Sequence, residues 1–166
     1  HPILKEIEIS KIAVKDLDKK RGIELDKNLL TNDPYKLIND PSIDVIVEVM
    51  GGVDLAKDII LKSLKSGKSV VTANKSVIAR YGKEIYQTAA KEGVYILSEA
   101  SVCGGIPIIE PLKRSLKSNS IKKMVGIING TTNFILSKMT NEKADYKETL
   151  KLAQSLGYAE SDPSAD

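Results

Sequence analysis

The chain has 166 residues, 42% hydrophobic and 28% charged, which is the size and composition of about one ordinary globular domain. Whole-chain disorder is excluded. So is a membrane helix, because no apolar run approaches the ~20 residues a bilayer span requires. A net charge of +3 arises from 25 basic and 22 acidic residues, and lysines such as Lys62, Lys65, Lys113 and Lys123 are dispersed. They read as a solvated surface; a nucleic-acid footprint would need clustered Arg interleaved with aromatics. One Cys and one His exclude an internal disulfide and a zinc cluster, and suit a reducing, cytosolic compartment.

In chain order, residues 7–14 alternate in the manner of a strand, and the charged stretch 15–22 reads as a loop. Turn signals at 32–34 and 39–41 flank a short helix. Val45, Ile46 and Val47 form a β-branched run typical of a buried strand, broken at Gly51 and Gly52. Asp54 is placed to cap a helix carrying Leu55, Ile59, Ile60 and Leu64, with Gly67 as its stop. Residues 69–72 predict a strand. A helix with the stripe Ile78, Tyr81, Ile85 and Ala89 follows, ended by Gly93, and residues 95–97 predict another strand. Strand and helix in this alternation mean βαβ units and a parallel sheet with helices on both faces.

The character changes near Glu99, where a second domain (99–166) is expected to follow the first (1–98). Gly104 and Gly105 precede an amphipathic segment led by Pro107, with Ile109, Leu112 and Leu116. Residues 121–128 predict a strand. The polar turn 129–133 opens a helix with Ile135 and Met139, and Tyr146, Leu150, Ala153 and Leu156 mark a last helix ended by Gly157.

Ligands of open parallel sheets bind beyond the carboxyl ends of the strands, and three unusual loops fall there. The first, 48–52, holds two glycines that let a flat or phosphorylated ligand approach, or that simply make a turn. The second, 72–75, puts Lys75 at a helix start, where the partial positive charge favours acids; the lysine is therefore a functional candidate. The third, 99–106, is rich in small residues and reads either as a close-packed junction or as a loop whose carbonyls hold a hard cation. Cys103 within it is expected to be a small buried residue, since no internal His is available to activate it. The tail 157–166 packs three carboxylates that bind an ammonium group or merely solvate the loop. No Gly-x-Gly-x-x-Gly occurs.

Five ordered motifs make the sequence recognisable: Val-Glu-Val-Met-Gly-Gly (47–52), Val-Val-Thr-Ala-Asn-Lys (70–75), Ser-Glu-Ala-Ser-Val-Cys-Gly-Gly-Ile-Pro-Ile-Ile (98–109), Gly-Ile-Ile-Asn-Gly-Thr-Thr-Asn (126–133) and Leu-Gly-Tyr-Ala-Glu-Ser-Asp-Pro-Ser-Ala-Asp (156–166). Together they closely resemble homoserine dehydrogenase. The resemblance implies a partial Rossmann-type sheet leading into an α/β substrate and dimerisation domain, in a cytoplasmic homodimer. The activity implied is NAD(P)H-dependent reduction of aspartate 4-semialdehyde to homoserine, on the route to threonine and methionine. The family's glycine fingerprint is expected upstream of His1, and its active-site Asp and second lysine downstream of Asp166, so the chain reads as an internal piece, inactive alone.

Carried over by position, Lys75 matches the active-site lysine. Thr72, Ala73 and Asn74 match the loop beside the nicotinamide, with Met50 and Gly51 also on the cofactor side. Gly130, Thr131, Tyr158 and Glu160 match substrate contacts, Glu160 as countercharge to the ammonium. Glu99, Val102, Gly104 and Ile106 match a loop holding a sodium-type monovalent cation, largely through backbone oxygens. Either NADP or NAD is implied: Lys15 is placed to pair with a 2′-phosphate, helped by Lys19, Lys20 or Arg21, whereas Asp16 could take a free 2′-hydroxyl. Two other readings stay open, namely a different Rossmann oxidoreductase and a non-catalytic packing fragment.

Overall fold

The computed structural model describes residues 6–159. The chain divides into two units, residues 1–117 and 118–166.

In the first unit, three parallel strands form a sheet in the order β3 (Val45–Glu48), β4 (Ser69–Thr72), β5 (Ile96–Leu97). The register sets Val45 against Ser69 and Glu48 against Thr72, so the carboxyl ends of β3 and β4 are level. Two helices make the crossovers, α2 (Asp54–Lys65) and α3 (Lys75–Glu92). A short α1 (Tyr35–Asn39) precedes them.

The strands advance in one direction, so right-handed crossovers put both helices on the same face, where α2 packs beside α3. That face holds the core: Ile46 and Val70 from the strands, Ile59, Ile60 and Leu64 from α2, and Val77 and Ile85 from α3. Val45, Val47 and Leu97 on the opposite face are exposed. The parallel α/β class is as read from the sequence, but the helical layer expected on the second face is not found among the described residues. The Lys68 amine is buried yet satisfied, donating to the carbonyls of Asp40 and Ile43 at 2.5 Å each. It thereby clamps the turn that leads into β3.

Four local expectations are corrected. The strand expected over 7–14 shrinks to β1 (Ile12–Ala13), paired in parallel with β2 (Leu30–Thr31) in a separate ladder. Ile7 and Ile9 are exposed, and alternation without a partner strand does not make a ladder. Asp54 is the first helical residue of α2, behind Val53 at the cap position, so its carboxylate acts on the helix dipole without capping it. The segment led by Pro107 contracts to one π-helical turn, Pro111–Ser115.

The last correction is the strand expected over 121–128, which has no regular structure. Met124, Val125, Ile127 and Ile128 are exposed, Ile128 to 99%. The segment joins neither of the two described sheets.

The first unit extends past Glu99 for a physical reason. The Ser101 hydroxyl donates to the Thr72 carbonyl at 3.0 Å, and Lys113 sits 4.6 Å over the Tyr86 ring. The 99–115 segment is thus pinned to β4 and α3.

The second unit is built on two helices, α4 (Gly130–Glu142) and α5 (Tyr146–Ser155), around buried Ile135, Ala153 and Ala159. Asn129 caps α4 through the Thr132 N–H at 2.7 Å, and Asp145 caps α5 through the N–H groups of Lys147 and Glu148.

Candidate functional site

Two of the singled-out loops emerge side by side from the level ends of β3 and β4, because Glu48 and Thr72 are register partners. Gly51 and Gly52 have φ of 74° and 71°, a left-handed conformation that other residues adopt only with strain. Nothing stands within 4 Å of where a side chain at either glycine would lie. Backbone conformation, and not crowding, therefore demands these glycines. Met50, Gly51 and Gly52 are all exposed.

The second loop starts α3. Asn74 is its cap, accepting the Val77 N–H at 3.1 Å, while the Thr72 hydroxyl oxygen accepts the Asn74 N–H at 3.0 Å. Thr72 and Asn74 are buried; Ala73 and Lys75 are exposed. Lys75, the first helical residue, forms no ion pair among the described residues, so its ammonium is available to a ligand.

Between the loops lies a carboxylate that the sequence analysis did not assign. Glu48 is 3% exposed and accepts from the Thr72 hydroxyl at 2.6 Å and from the Met50 N–H at 3.0 Å. A longer 3.5 Å contact from the Asn74 amide, which also donates to the Gly52 carbonyl at 2.8 Å, closes the network. A polar residue inside an otherwise β-branched strand run was the available signal.

The third loop is irregular, with Cys103 and Gly104 left-handed at φ 57° and 58°. Cys103 is exposed, which corrects the expectation of a small buried residue; the backbone turns outward there. Glu99 does not turn its carboxylate toward Val102, Gly104 or Ile106. It accepts the N–H groups of Ile108, Ile109 and Glu110, the first at very short range. Burial raises the Glu99 pKa, but the three N–H groups and Lys113 outweigh it and hold the carboxyl below its ordinary value. A cation here would rest on backbone oxygens, and no group of three His, Cys, Asp or Glu suited to a metal occurs among the described residues.

Lys15 is exposed at the end of β1. Neighbouring groups are used within their own loop: Arg21 donates to the carbonyls of Lys19 and Asp16, and Asp16 accepts the N–H groups of Asp18 and Lys19.

In the second unit, Gly130 and Tyr158 line an open groove of about 470 Å³ together with Phe134 and Lys138. Tyr158 stacks on Phe134 with ring centres 4.8 Å apart. Thr131 is buried and donates its hydroxyl to the Tyr158 carbonyl, so it anchors the groove wall and does not line it. Glu160 lies outside the described residues.

The family model described as homoserine dehydrogenase, NAD binding domain, matches residues 2–99, and the one described as homoserine dehydrogenase matches residues 107–166. This chain belongs to the homoserine dehydrogenase family. It is 55% identical over 165 residues to homoserine dehydrogenase of Synechocystis, covering 99% of this chain but 38% of that relative. The crystal structure of a homoserine dehydrogenase from Thiobacillus denitrificans superposes with a TM-score of 0.85 at 46% identity, over 95% of this chain and 36% of that one. A hyperthermophilic archaeal homoserine dehydrogenase in complex with NADPH superposes at 0.72 with 35% identity, over 81% of this chain and 41% of that one. The chain thus spans well under half the length of these homoserine dehydrogenases. No helix among its described residues is long and apolar enough to cross a membrane.

Proposed function

We propose that the protein containing this chain interconverts aspartate 4-semialdehyde and homoserine with NADP or NAD, on the route to threonine and methionine. The observation that carries the proposal is the pair of loops at the level ends of β3 and β4, Met50–Gly51–Gly52 beside Thr72–Lys75, in a chain matched along both parts by its family.

When bound, a reduced nicotinamide supplies the hydride. Met50, Gly51 and Ala73 would hold its ring, with the buried Thr72 and Asn74 supporting them from behind. As the aldehyde carbon gains its C–H bond, negative charge grows on the carbonyl oxygen. The Lys75 ammonium stabilises that charge and, alone or with a second lysine implied by the resemblance, delivers the proton that completes the hydroxyl. Gly130, Thr131 and Tyr158 shape the substrate side, and Glu160 is the countercharge to the substrate ammonium. Lys15 meets the adenosine ribose end of the cofactor. Glu99, Val102, Gly104 and Ile106 would hold a sodium-type cation, largely through backbone oxygens. Residues 1–98 serve the nucleotide and 99–166 begin the substrate and dimerisation part. The family ranges 2–99 and 107–166 support that division. A cytoplasmic homodimer belongs to the same proposal, and the single exposed Cys103 suits a reducing compartment.

The test uses the full-length protein with homoserine and NADP or NAD, following absorbance of the reduced cofactor. Lys75→Ala is expected to lower turnover by about 10²- to 10⁴-fold, the range of a lost general acid. Turnover within threefold of the parent overturns the assignment of Lys75. Since the chain spans 38% of the Synechocystis relative, its isolated form is expected to show no turnover.

A further inference from the structure

We infer that Glu48 is a positioning residue for cofactor binding, a buried carboxylate that sets the two cofactor-side loops in register with each other. The inference rests on the functional reading above and names the group that organises its site.

The Glu48 carboxyl accepts from three donors. One oxygen takes the Thr72 hydroxyl at 2.6 Å, and the other takes the Met50 N–H at 3.0 Å with the Asn74 amide at 3.5 Å. The Thr72 hydroxyl has a single proton, which it places on Glu48, while its oxygen accepts the Asn74 N–H at 3.0 Å. An acceptor-only group takes all three donors as they stand, whereas an amide keeps one oxygen for them and forces the Thr72 proton to find another acceptor. The backbone adds a parallel tie, with the Ala73 N–H donating to the Glu48 carbonyl at 3.2 Å.

The consequence is geometric. Through the Met50 N–H, Glu48 fixes the entry into the left-handed Gly51–Gly52 turn; through Thr72 and Asn74, it fixes the start of α3 and hence Lys75. The Asn74 amide reaches the Gly52 carbonyl at 2.8 Å, which ties the two loops directly. Glu48 itself is too buried to meet a ligand.

The full-length protein is compared with Glu48→Gln, Thr72→Val, Thr72→Ser and the Glu48→Gln/Thr72→Val double variant. Reduced-cofactor affinity is read by NADPH fluorescence titration, the KM values for cofactor and homoserine by turnover, and folding by thermal midpoint. Glu48→Gln and Thr72→Val are expected to weaken NADPH binding and raise cofactor KM by about tenfold, with homoserine KM changed less than twofold. Thr72→Ser, which keeps the hydroxyl, is expected within threefold of the parent. The double variant is expected no worse than the poorer single one within twofold, because both remove the same link.

Cofactor affinity within twofold of the parent in Glu48→Gln overturns the inference. So does additivity of the two changes, or a loss in kcat alone that tracks a lower folded fraction. If Glu48→Gln does not fold, the contrast between Thr72→Val and Thr72→Ser decides in the same terms. A parent that binds NADPH but does not oxidise homoserine overturns the functional reading and leaves the titrations to judge Glu48. A parent that binds neither NADPH nor NADH overturns both.

Discussion

The first unit buries side chains from three strands and three helices in a common core, whereas the second buries Ile135, Ala153 and Ala159 around two helices and leaves residues 124–128 exposed. The candidate residues differ in the same way. Thr72 and Asn74 are locked by a buried carboxylate onto a sheet that packs its own helices. Gly130 and Tyr158 stand on a groove whose wall is one helix, one aromatic stack and a hydroxyl bond to a carbonyl. A loop is positioned as firmly as the core beneath it, so the loops at 50–52 and 72–75 are organised within this chain to a degree that the groove at Gly130 and Tyr158 is not.

The largest expected effect lies in the cores. Ile60→Ala, at a fully buried position packed by both strand and helix, is expected to cost about 2–5 kcal/mol in denaturant unfolding. Ile135→Ala is expected near the lower end, about 2 kcal/mol, because two helices can collapse onto the space. Equal losses would break the contrast.

The helix caps come next. Asn74→Ala removes both the cap of α3 and the amide bond to Gly52, and is expected to cost about 2 kcal/mol. Asp145→Ala removes an exposed cap of α5 and is expected to cost about 1 kcal/mol by the same measurement.

A smaller change with opposite sign is expected at Lys143, which ends α4 with φ 54°. Lys143→Gly is expected to stabilise the second unit by about 0.5–1 kcal/mol, since glycine adopts that conformation without strain. A lower thermal midpoint would show that the lysine stem contributes more than its backbone costs.

The least effect belongs to Glu99, and it is confined to a pH window. Its carboxyl titrates below the ordinary value when folded, so the charged form stabilises the fold above the unfolded value of about 4.3. The contribution is lost as pH falls through the folded value. Glu99→Gln is therefore expected to destabilise at neutral pH and to match the parent in strong acid, as read by unfolding at pH 7 and pH 3. A difference independent of pH would remove the carboxylate from this role.

The helices were legible because their signals are local. The stripe Ile78, Tyr81, Ile85, Ala89 and the terminator Gly93, at φ 70°, needed only the 3.6-residue period and one left-handed glycine. The strands were legible only where they found partners. Residues 45–48 and 69–72 did; residues 7–11 and 121–128 carry comparable apolar patterns and remain unpaired. Of the site, Lys75 and the glycines stood out as residue types in odd places. Glu48 did not, since a glutamate in a strand reads as a solvent-facing alternate until the sheet shows it buried.

By itself the sequence determined where the helices run, which loops follow which strands, and which family the motifs resemble, because periodicity, turn chemistry and ordered motifs are written along the chain. Tertiary structure alone decided that the helices share one face, that Glu48 meets Thr72 across adjacent strands, and that Glu99 caps a turn nine to eleven residues away. Those outcomes depend on hydrogen bonds between residues distant in sequence, and such a bond forms only where the fold has brought a donor and an acceptor together away from water.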